Sequence, residues 1–483
     1  MTDAIVALPI AVIAVAIMLA AFGNLAIVAL AVIALVPLGE QVIATSPVAV
    51  QVVDLTGVAA VALVVLVRTW RSQAPLAIRP ASLWLLLLAA AAMASTVGSL
   101  DVVLSVHQVV QLVAGILLAL AVASAIDHPR DRLMILVVFA VMGAAVCAYT
   151  LITTPDIREI DSDPSLLRNR ATGIFEQPNN FGCFAAAVFV AGMAVMMSGA
   201  SRWITRCGAL CACLGAAGIG VALSRGSMIG AGLAIAGFVV LVPRYRARIV
   251  ATGIVGVALL AGAGQLHVGP DAVQLAGSRL VTIVTGNQNP YDERPAIWSE
   301  ALHEIAVHPL LGTGPNTFPI ASARERPSGV SVSVSRQSDP DRPVLIGAEH
   351  AHNVILTIGA EIGVFGMVAA VGFTISLGIG LWRARTRLTA PADRAVLAGI
   401  AGVLLIFVGQ GIVDFTLRDP VLATTLWLFV GLALNVHAPT LHAPTLRAPS
   451  LDVGAVAADS RQRRTSPSPT AMLPGTPQSL RSR

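Results

Sequence analysis

Lysine is absent from this chain of 483 residues, and all 31 of its basic residues are arginine. That bias reads as the mark of a GC-rich source, without functional meaning. Charge of either sign is scarce: 12% of residues are charged against 56% hydrophobic, and mean hydropathy is +0.81. Such a composition excludes an ordinary water-soluble globule and implies an all-α polytopic membrane protein. Nucleic acid is not expected as a partner. Only five cysteines occur. Cys183, Cys207, Cys211 and Cys213 lie among Ala, Gly and Leu with no His or acid beside them, which argues for packing and against a metal centre. Asp3 and no basic residue precede the first apolar run, so a cleaved signal peptide is not expected.

What is abundant is long apolar runs. Residues 4–38 are almost wholly apolar, enough for one long or two short helices, given that one span needs about 20 residues. Further spans are expected near 47–67, 81–100, 107–126, 133–152, 180–199, 207–223, 227–243, 249–266, 363–382, 394–415 and 421–436, which makes twelve or thirteen helices. Arginines gather in alternate connections: Arg68, Arg71 and Arg79; Arg130 and Arg132; Arg202 and Arg206; Arg244, Arg246 and Arg248; Arg383 to Arg394. By the positive-inside rule these face the cytoplasm, and the loops 153–179 and 267–350 face outward. The N-terminus is inside if residues 4–38 form one span and outside if they form two. A multi-pass domain over 1–436 is thus expected, followed by a tail, 437–483. The tail opens on the thrice-repeated pentad HAPTLHAPTLRAPSL; proline every fifth residue and little apolar surface predict a disordered cytoplasmic segment.

The outer loop 267–350 is too long for a plain connection. Its one convincing helix opens at Arg294-Pro295 with Asp292 and Glu293 ahead of it, carries a stripe of Trp298, Ala301, Leu302 and Ile305, and closes at His308-Pro309. A turn, Leu310 to Pro315, follows; Ile320 to Val344 shows no periodicity and is expected to be mobile. The loop ends in EHAHNVILTIGAEIGVFG, Glu349 to Gly366, where polar sequence gives way to lipid. A helix from His352 would place Asn353, Thr357 and Glu361 along one face and Val354, Ile355, Ile358 and Ile362 on the other, suited to the bilayer surface. Gly363 and Gly366 then permit a break or close packing before the next span.

His352-Asn353, nine residues, Gly363, two residues, Gly366 resembles the signature of the O-antigen ligase and Wzy-type polymerase family. The order Arg294, Trp298, Pro309-Leu310-Leu311-Gly312-Thr313-Gly314, then His352 is also the family's, and the likeness spans roughly 165–435. The resemblance implies a GT-C-like membrane glycosyltransferase of the inner membrane. It would move a glycan from a polyprenyl diphosphate carrier to a glycan or lipid-glycan acceptor on the outer side. Leu223-Ser224-Arg225-Gly226-Ser227 sets an arginine between two apolar spans, which is costly without a partner. It is either a snorkelling helix-end residue or, as the resemblance implies, a ligand of the carrier's diphosphate. Arg168 to Asn180, with Arg170 and Pro178-Asn179-Asn180, looks like another family loop, although Asn179 or Asn180 would equally serve as a helix cap. Asp414, near the outer end of a late span, is a candidate partner for Arg225 or Arg418, or an interface residue.

Transfer from a lipid diphosphate needs an activated hydroxyl and a stabilised leaving diphosphate. Arg225 and Arg294 suit the second task without a metal; His352 suits the first as general base, oriented by Asn353 or Glu361, with His350 assisting or merely solvated. Direct displacement would invert the anomeric carbon. No Asp-x-Asp-like metal motif occurs in the outer loops, and no cofactor is expected. A lipid-linked glycan transporter is the rival reading. Carriers place polar groups and broken helices near the midplane in repeated halves, whereas here the polar residues gather at the outer ends of spans.

Overall fold

Proline at the first position starts helix after helix, because its missing N–H is not needed there. In the computed structural model this opens α2 (Pro80–Thr96), α4 (Pro129–Thr153), α5 (Pro178–Ser198), α13 (Pro391–Gly411) and α14 (Pro420–Val436). Side-chain caps open others: Asp101 for α3 (Val102–Ala125), Ser201 for α6 (Arg202–Ala222), Ser224 for α7 (Arg225–Leu241) and Asn353 for α12 (Val354–Arg387). Helices α1 (Val52–Trp70), α8 (Arg246–Leu266), α9 (Asp271–Thr285), α10 (Arg294–Val307) and α11 (Phe318–Arg324) complete the set. The structure describes residues 25, 29, 32–33, 42–44, 50–71, 73, 76, 78–154, 158–160, 163–168, 170–266, 271–285, 294–324, 333–334, 345–346 and 348–436. β structure among these is confined to three short antiparallel ribbons.

The protein is an all-α polytopic membrane protein. Seven of the described helices are long and apolar enough to cross a membrane, namely α3 to α6, α12, α13 and Pro243–Leu266. At the other expected positions stand α1, α2, α7 and α14, of which the last three have 17 residues each, near the lower limit of about 17 for spanning. The expected helix or helices over 4–38 lie mostly outside the described residues. The chain divides into two units, Met1–His437 and Ala438–Arg483, and the second, with the expected tail, lies outside them too.

Helix α5 is the central element: Phe181, Cys183 to Val188, Val190, Ala191, Ala194 and Val195 are at most 2% exposed. Small residues let its neighbours approach to backbone distance, the usual device where lipid offers no hydrophobic drive between helices. A Cβ on Gly192 would lie 2.5 Å from the backbone nitrogen of Ala212, and one on Gly208 2.4 Å from that of Met196, so α5 and α6 are locked. Cys183 and Cys211 are buried among these contacts and unbonded, and Cys207 is half-buried. Phe139 meets Phe184 and Phe429 edge-on at 5.9 and 5.0 Å, joining α4, α5 and α14.

Two polar knots tie the end of the bundle that carries basic connections. Arg68 donates to the Ser124 carbonyl at 2.6 Å and lies 3.5 Å from Asp127. The Arg132 guanidinium donates to Asn435 Oδ1 at 2.7 Å, and Asn435 donates in turn to the Ala123 and Ile126 carbonyls. The opposite ends of α4, α6 and α13 carry Arg170, Arg225 and Asp414.

Candidate active site

Loop 267–350 holds more helix than the single one expected. α9 was not foreseen: it packs on α8 through glycines, a Cβ on Gly264 lying 2.4 Å from the Ser278 nitrogen, and its Ala276 clusters with Leu223 beside the Ser224-Arg225 turn. α11 falls in the stretch that showed no periodicity; most of 325–344 lies outside the described residues. α10 has the expected bounds but a different buried face. Its inward residues are Ile297, Glu300, Ala301 and Glu304, while Leu302 is 57% exposed. With Phe318, Ala351 and Ala360, Ile297 and Ala301 form a small core over the site, so the predicted apolar stripe is rotated by tertiary contact.

α12 breaks where the glycines allow. Gly363 has φ 76° and ψ −168°, outside helical space and reachable without strain only by glycine. The break frees the Ala360 and Glu361 carbonyls, which accept from the Thr313 and Gly314 amides at 2.9 Å each, while the Val364 amide donates to the Pro309 carbonyl at 2.8 Å. Ser95 on α2 donates to the Glu361 carbonyl as well. The Pro309-to-Gly314 turn and the broken helix therefore interlock: a Cβ on Gly363 would lie 2.2 Å from the Leu310 oxygen, and one on Gly312 2.4 Å from the Glu361 carbonyl carbon. Gly366 abuts Ile362 of its own helix.

His352 stands just before this helix with φ 48°, a left-handed conformation that costs a non-glycine residue about 1–2 kcal/mol. Asn353 does not orient the ring. Its Oδ1 caps α12 by accepting from the Ile355 and Leu356 amides at 3.0 Å each, and its amide donates to the Ile412 carbonyl at 2.9 Å. Nor does Glu361: it accepts from Arg418 at 2.6 Å and from the Phe318 amide at 3.2 Å. The orienting group is Asp414, whose Oδ1 lies 2.9 Å from His352 Nδ1 and 3.4 Å from His350 Nε2 and accepts from the Phe415 amide at 2.9 Å. Asp414, a candidate partner for Arg225 or Arg418 or an interface residue on sequence grounds, thus pairs with the histidines.

Burial opposes ionisation of Asp414, but hydrogen bonds from His350 and His352 outweigh it and hold the carboxyl well below its usual range. An ionised carboxylate only accepts, so His352 Nδ1 is the donor to it, and in the neutral imidazole that tautomer leaves Nε2 as the acceptor. Burial pushes His350 down, toward the neutral form. Its ring centroid lies 4.4 Å from that of His352, with the planes tilted by 53°.

The second oxygen of Asp414 reaches the arginines. It accepts from the Asn179 amide at 2.8 Å, and Asn179 Oδ1 accepts from Arg170 at 3.0 Å. Asn179 is therefore a bridge; neither it nor Asn180, which donates to Asp419 at 2.9 Å, caps α5 through its side chain. Arg170 also makes a fork onto the Ala222 carbonyl, at 3.0 and 2.8 Å. Its guanidinium is pushed down to about 10, first by burial and then by the charges of Arg279, Arg225 and Arg294, with Asp414 opposing. Four arginines thus share one field. Arg225 and Arg294 are each the first residue of a helix, where the positive end of the dipole adds to their charge. Arg279 was missed because it sits on α9; its reach to Arg170 comes from tertiary packing alone.

Nitrogens of His350 and His352 and an oxygen of Asp414 lie within 4.8 Å of one another, close enough in distance for one cation. The fit is poor. Asp414 Oδ1 is engaged by the Phe415 amide as well as by both rings, and the neighbouring arginine charges repel a dication. The cluster suits a carboxylate that holds two imidazole rings.

Beside the site opens an apolar cavity of about 1150 Å³, which begins at Asn353, Glu361, Phe415 and Arg418 and continues to Leu381 and Trp382. His352 and the four arginines are not on its wall.

A model of the family described as O-antigen ligase matches residues 209–371. This stretch of the chain is similar to the O-antigen ligase family. The match runs from α6 through the Ser-Arg-Gly turn and α10 to the far side of the Gly363 break, and leaves Arg170 and Asp414 outside it. No curated protein matches the chain. That similarity supports a glycosyltransferase-like enzyme of cell-surface polysaccharide biosynthesis, acting on lipid-linked glycans in a membrane setting.

Proposed function

We propose that the protein transfers a glycan from a polyprenyl diphosphate carrier to an acceptor hydroxyl on the outer face of the cytoplasmic membrane. The observation that carries this reading is His352 held through Nδ1 on Asp414, with Arg170 joined to the same carboxylate through Asn179 and three further arginines in its field. His352 Nε2 takes the proton of the acceptor hydroxyl as its oxygen attacks the anomeric carbon. The bond from that carbon to the diphosphate oxygen breaks, and the departing diphosphate is stabilised by Arg225 and Arg294 with Arg170 and Arg279. Asp414 stabilises the imidazolium that forms. Displacement from the opposite face inverts the anomeric centre. The apolar cavity offers room for the prenyl chain. The arginine-rich connections at the opposite end of the bundle support an outer position for the site. The four guanidinium charges do the work for which other glycosyltransferases recruit a cation, so we infer a metal-independent reaction.

The test is transfer from a polyprenyl diphosphate oligosaccharide by purified protein, with and without a separate acceptor, beside His352→Ala, Arg225→Ala and Arg294→Ala. Products lengthened by donor repeats identify a polymerase; transfer to the added acceptor alone identifies a ligase. His352→Ala at the wild-type rate would refute the mechanism. Movement of labelled lipid-linked glycan across vesicles that lack acceptor would replace it with a carrier.

A further inference from the structure

Residues 414–419 link the two halves of the site. Asp414, at their start, holds His352 and His350 and reaches Asn179; Asp419, at their end, holds Asn180 and accepts from the Leu422 amide at the start of α14. Between them a single turn of 3-10 helix, Thr416–Arg418, presents Arg418. Its guanidinium divides between two partners, one on the histidine loop and one on α12: Nη1 donates to the Glu349 carbonyl and Nη2 to Glu361 Oε1 at 2.6 Å. It lies 5.6 Å over the Phe415 ring, which in turn packs 5.6 Å from the His350 ring.

The contacts bracket the strained residue. Glu349 lies three residues before His352 and Glu361 is nine after it, beyond the α12 cap. A left-handed residue persists only where its surroundings over-determine it. On the far side Asn353 binds the Ile412 carbonyl; on the near side the tie is Arg418. The Glu361 side chain is 6% exposed and pairs with Arg418, whereas the arginines that act on Arg170 are Arg279, Arg225 and Arg294.

We propose that Arg418, with Glu361 as its anchor, is a positioning residue that holds the His350-to-His352 loop so that His352 Nε2 faces the reacting hydroxyl. The proposal rests on the reading of His352 as the base. It predicts a defect in turnover, not in donor binding, since Arg418 touches the loop and not the anion. An error of about 1 Å in the placement of a base costs about 10²-fold in rate.

The experiment uses the full chain purified in detergent or nanodiscs, as wild type, Arg418→Gln, Arg418→Lys and Glu361→Gln. Transfer kinetics are measured together with hydrogen–deuterium exchange of the segment 348–356 and the melting temperature. Arg418→Gln is expected to lower kcat by about 10²-fold with donor KM within about twofold, and to raise exchange in 348–356. Arg418→Lys keeps the charge but loses the fork, so it falls between Gln and wild type and supplies the reading if Gln does not fold. Raised donor KM with unchanged kcat would overturn the proposal and make Arg418 a donor ligand. Unchanged kcat with unchanged exchange would also overturn it. If wild type shows no transfer yet exchange rises in the variants, the loop-holding role stands and the function proposed above fails on its own.

Discussion

Asp414→Asn removes one charge from the site while keeping its shape. Oδ1 of Asp414 accepts from His352 and the Phe415 amide, and Oδ2 accepts from Asn179. An asparagine must place its NH₂ at one of these positions, and either choice sets donor against donor. The cost is about 1–3 kcal/mol unless a partner gives way. The easiest adjustment is for His352 to move its proton from Nδ1 to Nε2, which leaves no base facing the acceptor. The charge loss adds to this. A carboxylate and an imidazolium about 4 Å apart near a protein surface attract by about 4 kcal/mol, and here the separation is 2.9 Å. Losing about 4 kcal/mol of transition-state stabilisation is about a thousandfold in kcat. Steady-state transfer by the purified variant should therefore show kcat down by about 10³ with donor KM little changed, and a fold retained by melting temperature. A kcat within about threefold of wild type would refute the role given to Asp414.

Arg225→Ala, Arg294→Ala and Arg279→Ala should each cost about 1.5–3 kcal/mol of charge-assisted hydrogen bonding, about 10- to 100-fold in kcat/KM for the diphosphate donor. Arg279 behaving as the other two tests a site member that only packing revealed. Gly363→Ala should lower stability by about 1–3 kcal/mol for the strained backbone alone, and more because its Cβ meets the Leu310 oxygen at 2.2 Å, read as a fall in melting temperature. His350 is held neutral by burial, so below its ordinary value of 6.5 the unfolded chain binds a proton that the folded chain refuses, and stability falls as pH drops. Melting scans from about pH 7 to pH 5 should fall more steeply for wild type than for His350→Asn, which has no proton to bind.

The helices were legible because each is written locally: apolar runs, a proline or a small polar cap at the start, arginines at one end. The motif from His352 to Gly366 was legible for the same reason, since its spacing lies within one stretch of chain. Residues carrying the site from elsewhere were named individually, as Arg170, Arg225, Arg294 and Asp414 were, but their partnerships were not. Asp414 was left between an arginine partner and an interface role, whereas the fold gives its oxygens to His352, His350 and Asn179. Asn353 and Glu361, the near neighbours proposed to steer the ring, turned out to cap a helix and to meet Arg418.

By itself, then, the sequence determined a helical membrane protein, the alternation of its connections and a histidine at the mouth of a broken helix. Each follows from hydrophobic length, local charge and backbone freedom within a few turns. Only the tertiary structure decided the face that α10 buries, the presence of Arg279 in the arginine field and the interlock of Gly312 with Gly363. It also decided the choice of Asp414 as the partner of His352. These depend on groups 50 to 60 residues or more apart meeting, as His352 and Asp414 do across 62 positions. Their pairing is set by how whole helices pack, a property that no short stretch of chain contains.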